Sequence, residues 1–261
     1  MIHINVPKGF GDAIMLRAVT FHLLDRGESV TVYTKWPDVF QDINPVPHGR
    51  FVLKSLRDLN DVRDDLEERG LLRHGTYHLY RGGPIPEGET IFSLVCKNAR
   101  IHEPVSLEMR WEVKNHGLVR KIREKAGGKR ILVYQPIKVA NYPEQELLRP
   151  SNALLRGVLV FHPDCFRVKI GHPRYVKNDD YPCDLDLFGE IPISDTFDIC
   201  TTADLFLADP SFINVIAEAL GTPYVCLFTR SGLESYIERV NTVTPERVVH
   251  KKSLATVVVD D

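Results

Sequence analysis

The chain has 261 residues, of which 43% are hydrophobic and 26% charged, and its formal net charge is -2. This composition is ordinary for a soluble globular protein with one large domain or two small ones, and the charge argues against bulk electrostatic binding to nucleic acid. No apolar run approaches the ~20 residues that a membrane-spanning helix needs, so we expect no membrane span.

The cysteine pattern argues against a structural metal or a disulfide framework. The number of cysteines is odd, and none are paired at C-x-x-C spacing. The opening residues "MIHINVPKGFGD" lack the charged and apolar regions of a signal peptide, so we expect a cytoplasmic protein. The cysteines are Cys96, Cys165, Cys183, Cys200 and Cys226.

The first elements along the chain form a βαβ pattern. Residues 2–6 alternate apolar and polar side chains, which predicts a strand, and residues 29–34 predict a second strand. Between them, apolar side chains recur at helical spacing from Ala13 to Leu24, with Asp12 as a suitable N-cap and Gly27 as a suitable end. A strand, turn, helix and strand within ~35 residues have the size of a βαβ unit.

The middle of the chain gives weaker signals. Residues 51–56 predict a third strand, and residues 58–72 predict a charged amphipathic helix that ends at Gly70. Residues 76–83 predict a short strand that leads into a loop, and residues 90–124 are expected to be largely helical.

A second α/β unit begins after the "AGGKR" break at residues 126–130. Residues 131–138 predict a strand running into a loop, and residues 147–170 fit either a helix with a strand or two strands. The remaining predicted elements are a helix in 195–203, a strand at 204–208, a helix at 210–220 closed by Gly221, and a strand at 223–228.

Alternating strands and helices predict an α/β fold of two Rossmann-like domains with mostly parallel sheets. The glycine pair places the domain boundary between residues 126 and 127, which gives domains 1–126 and 127–261. Ligands of such sheets bind beyond the carboxyl ends of the strands, so a cleft between two facing domains is the expected site.

The turn "GFGDAI" permits several interpretations. It is a poor dinucleotide fingerprint, because Ile14 replaces the third glycine and no clear acidic residue ends the second strand. In the simplest interpretation Gly9 and Gly11 supply positive φ or close packing, and Asp12 caps the helix. Alternatively, Asp12 lies at the mouth of the first strand and acts as a general base on a hydroxyl.

The junction "ADPSFIN" predicts a second helix start at the edge of a sheet. Asp209 is the expected N-cap, and Pro210 suits the first helical position. The N–H groups near Ser211, Phe212 and Ile213 would then form an anion site, to which the Ser211 hydroxyl adds a donor. The alternative is an empty helix start, of which every parallel-sheet protein has several.

Two stretches together resemble the heptosyltransferase family, glycosyltransferase family nine. "KGFGDAIMLRAVTFHLLDRGESVTVYT" is similar to the family's opening strand, G-x-G-D turn and helix. "DLDLFGEIPISDTFDICTTADLFLADPSFINVIAEALGTPYVCLF" is similar to its C-terminal half. The resemblance implies a GT-B fold with two Rossmann-like domains facing across a cleft, an acceptor site in the first domain and a nucleotide-sugar site in the second.

The resemblance also implies roles for individual residues. Asp12 matches the family's base, which deprotonates the acceptor hydroxyl, and the stretch Ala208–Ser211 matches the loop that meets the diphosphate. Lys138 is the candidate for a basic residue on the same diphosphate, and no metal or other cofactor is implied. The candidate substrate-binding residues are Gly9, Gly11, Lys138, Asp209, Ser211, Phe212 and Asn214.

Three departures from the family pattern bear on the donor site. Phe212 replaces the family's glycine, Asn214 replaces its histidine, and Gln135-Pro136 replaces its proline-glycine pair. The sequence therefore predicts a metal-independent glycosyltransferase that moves a sugar from a nucleotide-diphosphate sugar to a hydroxyl acceptor. Two alternatives stay open: transfer to a modified base in DNA, with nucleic acid only as the acceptor, and a non-catalytic nucleotide-sugar-binding relative.

Overall fold

A computed structural model describes residues 1–6, 9–43, 49–74, 89–136, 152–160, 162–173, 180–189, 191–209, 211–229 and 253–259. The chain divides into two compact units, Met1–Glu112 and Val113–Asp261. The sequence places the boundary 14 residues later, after the helix His116–Ala126, and this helix packs on the second unit's helix Ile193–Cys200. The assignment of the units to acceptor and donor binding stays a prediction.

The first unit is a parallel sheet with helices on its faces. Its sheet has the order β3-β2-β1-β4, and every described pairing in it is parallel. Its elements are β1 (Ile2–Val6), α1 (Phe10–Asp25), β2 (Val30–Thr34), a 3-10 helix (Pro37–Ile43), β3 (Phe51–Lys54), α2 (Leu56–Asn60), α3 (Arg63–Glu68), β4 (Leu72–His74) and α4 (Ile91–Asn98).

The second unit repeats this plan with a larger sheet. Its strand order is β10-β9-β8-β5-β6-β7, again with parallel pairing throughout the described strands. Its elements are α5 (His116–Ala126), β5 (Arg130–Tyr134), α6 (Asn152–Val160), β6 (Cys165–Gly171), β7 (Leu185–Phe188), α7 (Ile193–Cys200), β8 (Leu205–Ala208), α8 (Phe212–Leu220), β9 (Tyr224–Thr229) and β10 (Ser253–Val259).

The apolar patterns of the sequence explain both cores. β2 and β8 are buried along their whole length, as expected for strands of a parallel sheet covered on both faces. α8 buries the side chains from Ile213 to Ala217 against the second sheet and ends at Gly221, whose φ of 68° lies in the left-handed region. The predicted α/β class with two parallel-sheet units is confirmed.

Several predicted elements differ from the structure. The helix predicted at 58–72 is two short helices, α2 and α3, and the fourth strand, β4, occupies the end of that range. Residues 99–115 have no helix, although the sequence predicts a largely helical segment there. The strand predicted at 76–83 lies entirely outside the described residues. The range 147–170 contains a helix followed by a strand, which is one of the two predicted arrangements.

A buried arginine fixes α1 to the rest of the first unit. Arg17 is fully buried, and its guanidinium donates to Asp42 Oδ1 at 2.5 Å and to Asp42 Oδ2 at 2.6 Å. It also donates to the carbonyl oxygens of Val39, Met109 and Arg110 at 2.6, 3.0 and 3.2 Å. One side chain therefore joins α1 to the 3-10 helix and to the last residues of the unit.

A buried carboxylate fixes the start of the second unit. Asp198 in α7 is fully buried and accepts the N–H of Lys114 at 3.1 Å and the N–H of Asn115 at 2.6 Å. Asn115 then caps α5, because its Oδ1 accepts the N–H of Leu118 at 3.0 Å.

Within the described residues, no helix is both long and apolar enough to cross a bilayer.

We expect Asp184→Asn to destabilise the second unit at neutral pH but not in acid. Arg167 Nε donates to Asp184 Oδ2 at 2.9 Å, and this contact lowers the pKa of Asp184 below its ordinary value. A lowered carboxylate pKa gives stability that is present above pH ~4 and lost as the pH falls through the folded-state pKa. Since both side chains are partly exposed, the loss at pH 7 should stay below ~1 kcal/mol.

Urea unfolding between pH 7 and pH 3 measures this difference in the free energy of unfolding. Asp65→Asn is the matched control, because Asp65 pairs with Arg69 at 3.2 Å with both side chains more than half exposed. A difference between wild type and Asp184→Asn that is as large at pH 3 as at pH 7 would contradict the assignment.

Candidate functional site

Each sheet has a point at which the chain reverses its direction across the strands. In the first unit the chain moves from β1 to β2 and β3, then returns to place β4 on the other side of β1. In the second unit it moves from β5 to β6 and β7, then places β8, β9 and β10 on the other side of β5. Ligands of open α/β sheets bind outside the carboxyl ends of the strands at such points.

Both junctions that the sequence singles out lie at these points. The turn around Gly9 and Asp12 follows β1, which borders the reversal between β1 and β4. The segment from Asp209 to Ser211 follows β8, which borders the reversal between β5 and β8. The two junctions therefore occupy the position in each unit where the fold favours a ligand.

The first junction starts its helix earlier than predicted. Gly9 is the N-cap and α1 begins at Phe10, so Asp12 is the third helical residue and not the N-cap. Asp12 nevertheless caps the helix, because its Oδ2 accepts the N–H of Gly9 at 3.0 Å. Gly9 has φ -74°, and neither Gly9 nor Gly11 is among the glycines with positive φ, so that part of the simplest interpretation is wrong.

This geometry keeps the Asp12 carboxylate at the carboxyl edge of the first sheet. Asp12 is half-buried at the positive end of the α1 dipole, where a negative charge is favourable. A carboxylate can accept about four hydrogen bonds, so the bond to Gly9 is compatible with a further role as a proton acceptor. The residue type of Asp12 and its position therefore fit the predicted role of a general base.

The second junction, in contrast, starts its helix later than predicted. Ser211, and not Asp209, is the N-cap of α8, and the helix begins at Phe212. Ser211 Oγ accepts the N–H of Ile213 at 3.2 Å, and Asn214 Oδ1 accepts the N–H of Ser211 at 2.9 Å. Asp209 is fully buried between β8 and α8.

These bonds change how an anion would be held at α8. The N–H groups of Ser211 and Ile213, which the sequence predicts as anion donors, are already bonded within the cap. The Ser211 hydroxyl accepts through its oxygen and so retains its own proton for donation. Phe212 is half-buried at the first helical position, and Lys138 and Pro210 lie outside the described residues.

Two buried amides border the same point of the second sheet. Asn214 is 2% exposed, and its Nδ2 has no hydrogen-bond partner among the described residues. Gln135 follows β5, is 2% exposed, and its Oε1 likewise has no partner within the described part of the chain. Buried polar groups are nearly always paired, so such exceptions point to a missing partner such as a ligand.

The sequence identifies Asn214 but not Gln135 as a candidate. Gln135 attracts notice only as a departure from the family pattern, because nothing in its neighbours reveals that it is buried beside β8. Its backbone N–H donates to Leu207 O of β8 at 3.2 Å, a contact between residues 72 positions apart. Among the described residues, no group of three His, Cys, Asp or Glu side chains could hold a metal ion.

No protein-family model matches the chain, and no curated protein matches its sequence. Solved structures do match it. A glycosyl transferase of family 9 from Veillonella parvula superposes with a TM-score of 0.60 at 12% identity, covering 100% of this chain and 85% of the other. The Escherichia coli ADP-heptose LPS heptosyltransferase II gives 0.55 at 12% identity, covering 99% and 90%.

A third structure is the dodecameric iron-containing heptosyltransferase TibC of enterotoxigenic E. coli, solved in complex with ADP-D-β-D-heptose. It gives a TM-score of 0.55 at 11% identity and covers 96% of this chain and 62% of its own. At these identities the similarity establishes the fold. The chain has the two-unit α/β fold of the family 9 heptosyltransferases, as the resemblance in its sequence predicts.

Proposed function

We propose that this protein is a glycosyltransferase that moves a sugar from a nucleotide-diphosphate sugar to a hydroxyl acceptor. One observation carries the proposal: the heptosyltransferase fold brings the Asp12 junction and the Ser211 junction to the reversal point of their respective sheets. A carboxylate at one point suits proton removal, and at the other the Ser211 hydroxyl, the Asn214 amide and the positive end of the α8 dipole suit a diphosphate.

The second unit supplies the donor site in this proposal. The Ser211 hydroxyl and Asn214 Nδ2 donate to the diphosphate oxygens at the positive end of the α8 dipole, and Lys138 adds a positive charge. These groups stabilise the leaving nucleotide diphosphate as its negative charge grows in the transition state. One similar structure is an ADP-heptose heptosyltransferase by name, and another was solved in complex with ADP-D-β-D-heptose. An ADP-linked heptose is therefore the first donor to test.

The first unit binds the acceptor and provides the base. The acceptor hydroxyl gives its proton to the Asp12 carboxylate, and its oxygen attacks the anomeric carbon of the sugar. The bond between that carbon and the diphosphate oxygen breaks, and the nucleotide diphosphate leaves with the electron pair. A single displacement of this kind inverts the anomeric configuration.

A metal-independent reaction is part of the proposal. The helix start, Ser211, Asn214 and Lys138 offset the diphosphate charge in place of a cation. TibC is described as iron-containing, so assays with and without a chelator are needed to test this point. Loss of transfer in the presence of the chelator would contradict metal independence and leave the transferase assignment intact.

A second candidate function is non-catalytic nucleotide-sugar binding. The observation that favours it is the cap of α8, in which the N–H groups of Ser211 and Ile213 are bonded to the chain itself. A site with fewer donors for the developing charge would bind a donor sugar without activating it. Donor binding with neither hydrolysis nor transfer across a broad acceptor panel would support this candidate.

We expect ADP-heptose and ADP to bind the wild type, and Asn214→Leu or Ser211→Ala to weaken binding by about 10- to 100-fold each. Each substitution removes one hydrogen bond to a charged group, which contributes roughly 1.5–3 kcal/mol. Isothermal titration calorimetry gives the dissociation constants. Ser55→Ala is the matched control, since Ser55 caps α2 as Ser211 caps α8 and lies outside the site.

The control separates helix stability from ligand contact. Removing either serine cap should cost ~1 kcal/mol of stability, but only Ser211→Ala should change the affinity for ADP. Equal affinity in all variants would exclude the α8 start as the diphosphate site.

A further inference from the structure

The carboxyl edge of the first sheet carries one polar side chain from each strand. Asn5 of β1 is in register with Tyr33 of β2 and with His74 of β4, and Tyr33 is in register with Lys54 of β3. Residues in register on parallel strands point to the same face of the sheet. Lys54, Tyr33, Asn5 and His74 therefore form a row across all four strands, which we call the edge row.

The two central residues of the edge row are buried. Tyr33 is 1% exposed and Asn5 is 4% exposed, whereas Lys54 is exposed and the His74 side chain is 42% exposed. Asparagine is disfavoured in strands, and a buried asparagine side chain needs hydrogen-bond partners.

The side-chain oxygen of Asn5 lacks a partner among the described residues. This Oδ1 is buried and accepts no hydrogen bond from any of them. The hydroxyl of Tyr33, the residue in register with Asn5 on β2, pairs with His3 Nδ1 at 3.1 Å. A buried acceptor without a donor costs free energy, so its presence at the reversal point of the sheet indicates a group that receives its donor from a ligand.

The chemistry of the Asn5 oxygen favours a neutral donor over an anion. An amide oxygen can only accept a hydrogen bond, so it pairs with a hydroxyl or N–H donor and not with an ionised phosphate or carboxylate. Burial lowers the pKa of His3 and raises the pKa of Tyr33, so both side chains are neutral at pH 7, and the cation of the row, Lys54, lies at its exposed end. A hydroxyl group of a sugar meets this requirement.

We propose that Asn5 is a specificity-determining residue of the acceptor site, where its Oδ1 accepts a hydrogen bond from a non-reacting hydroxyl of a pyranose acceptor. This inference rests on the proposed function, since it assigns the acceptor to the unit that carries Asp12. Asn5 lies near the C-terminal end of β1 and Asp12 in the first turn of α1, so both belong to the carboxyl edge of the first sheet. A site built around such a contact discriminates strongly against an analogue that lacks the hydroxyl.

The test combines stability with binding. Asn5→Leu keeps the branched shape of the side chain and removes its polar atoms, so the melting temperature should rise by roughly 3–8 °C. Thr34→Val is the matched control in the adjacent strand: Thr34 is 3% exposed, but its Oγ1 accepts the N–H of Trp36 at 2.9 Å. That substitution should lower the melting temperature.

Binding is measured by saturation-transfer NMR with methyl hexopyranosides and their monodeoxy analogues. The wild type should prefer one parent glycoside over one deoxy analogue by at least tenfold, and Asn5→Leu should lose that preference. The Asn5→Leu variant should bind ADP as the wild type does. Together these results support the proposal.

Three results would overturn it. A lower melting temperature for Asn5→Leu would show that the amide is satisfied in the folded protein. An unchanged preference for the parent glycoside would show that Asn5 does not contact the acceptor. A wild type that binds ADP but none of the glycosides would exclude a pyranose acceptor here, whereas failure to bind ADP-heptose or ADP would instead contradict the proposed function.

Discussion

Asp12→Asn is expected to reduce sugar transfer by a factor of about 10²–10⁴, because it removes the general base of the proposed reaction. The side-chain oxygen of asparagine can still accept the N–H of Gly9, so the start of α1 should survive the substitution. Turnover is measured as the release of ADP from ADP-heptose in the presence of the hydroxyl acceptors. Affinity for ADP should be unchanged, because the proposed donor site belongs to the second unit.

A matched aspartate elsewhere in the first unit controls for the cap. Asp58 is the third residue of α2, and its Oδ2 accepts the N–H of the N-cap Ser55 at 2.9 Å, the same arrangement that Asp12 has with Gly9. Asp58→Asn should therefore reproduce any loss of helix stability and leave turnover at the wild-type rate. Wild-type turnover in Asp12→Asn would remove this residue as the base.

The strands and helices that the sequence predicts well are those that carry their own pattern. In β1 the alternation of Ile2, Ile4 and Val6 is visible directly, and in α8 an apolar run precedes Gly221, which ends the helix. β4 and β7 have only three and four residues, too few to establish a period, and their places depend on pairing with β1 and β6.

The two helix starts show why boundaries are harder to predict than elements. Near α8, both Asp209 and Ser211 are good caps by residue type, and the folded chain uses Ser211. Near α1, Asp12 suits the N-cap position, but an aspartate at the third position can bond back to the cap residue equally well. Local sequence allows both arrangements at each helix, so residue type alone does not fix where the helix begins.

The candidate site is likewise predictable in part. Asp12, Ser211 and Asn214 follow from motifs at the ends of strands, which a sequence displays. Asn5 and Gln135 become candidates only in the folded chain. Each is buried next to a strand that is distant in the sequence, and the side-chain oxygen of each accepts no hydrogen bond from the described residues. A missing partner is a property of the folded chain, so no pattern of neighbouring residues could reveal it.

Arg17 is a further residue whose role only the fold reveals. Helical spacing places it among the apolar residues of α1, where a charged side chain is unfavourable unless every donor is paired. Its hydrogen bonds to Asp42 and to three carbonyl oxygens satisfy this condition, and the rings of Phe21 and Trp111 lie 4.8 and 5.3 Å from the guanidinium carbon. Its contribution is therefore to the position of α1 and not to substrate binding.

Arg17→Met is expected to destabilise the first unit by about 3–5 kcal/mol, because the Asp42 carboxylate would stay buried without its counter-charge. The Asp42 side chain is only 8% exposed in the ion pair, so water cannot replace the guanidinium without local opening. Urea unfolding followed by circular dichroism gives the free energy of unfolding. Arg120→Met is the control, since the pair of Arg120 and Glu124 is 3.9 Å apart with both side chains at least 70% exposed, and its loss should change stability little.

The double variant Arg17→Met with Asp42→Leu distinguishes an uncompensated charge from lost packing. If the cost of Arg17→Met comes from the carboxylate that it leaves behind, removing that carboxylate should restore a large part of the stability, as an apolar replacement of a buried ion pair often does. A double variant as unstable as Arg17→Met would instead assign the cost to the hydrogen bonds that Arg17 makes with the carbonyl oxygens of Val39, Met109 and Arg110. In that case the main task of Arg17 is to hold the irregular end of the first unit against α1, and Asp42 serves chiefly to keep the guanidinium in place.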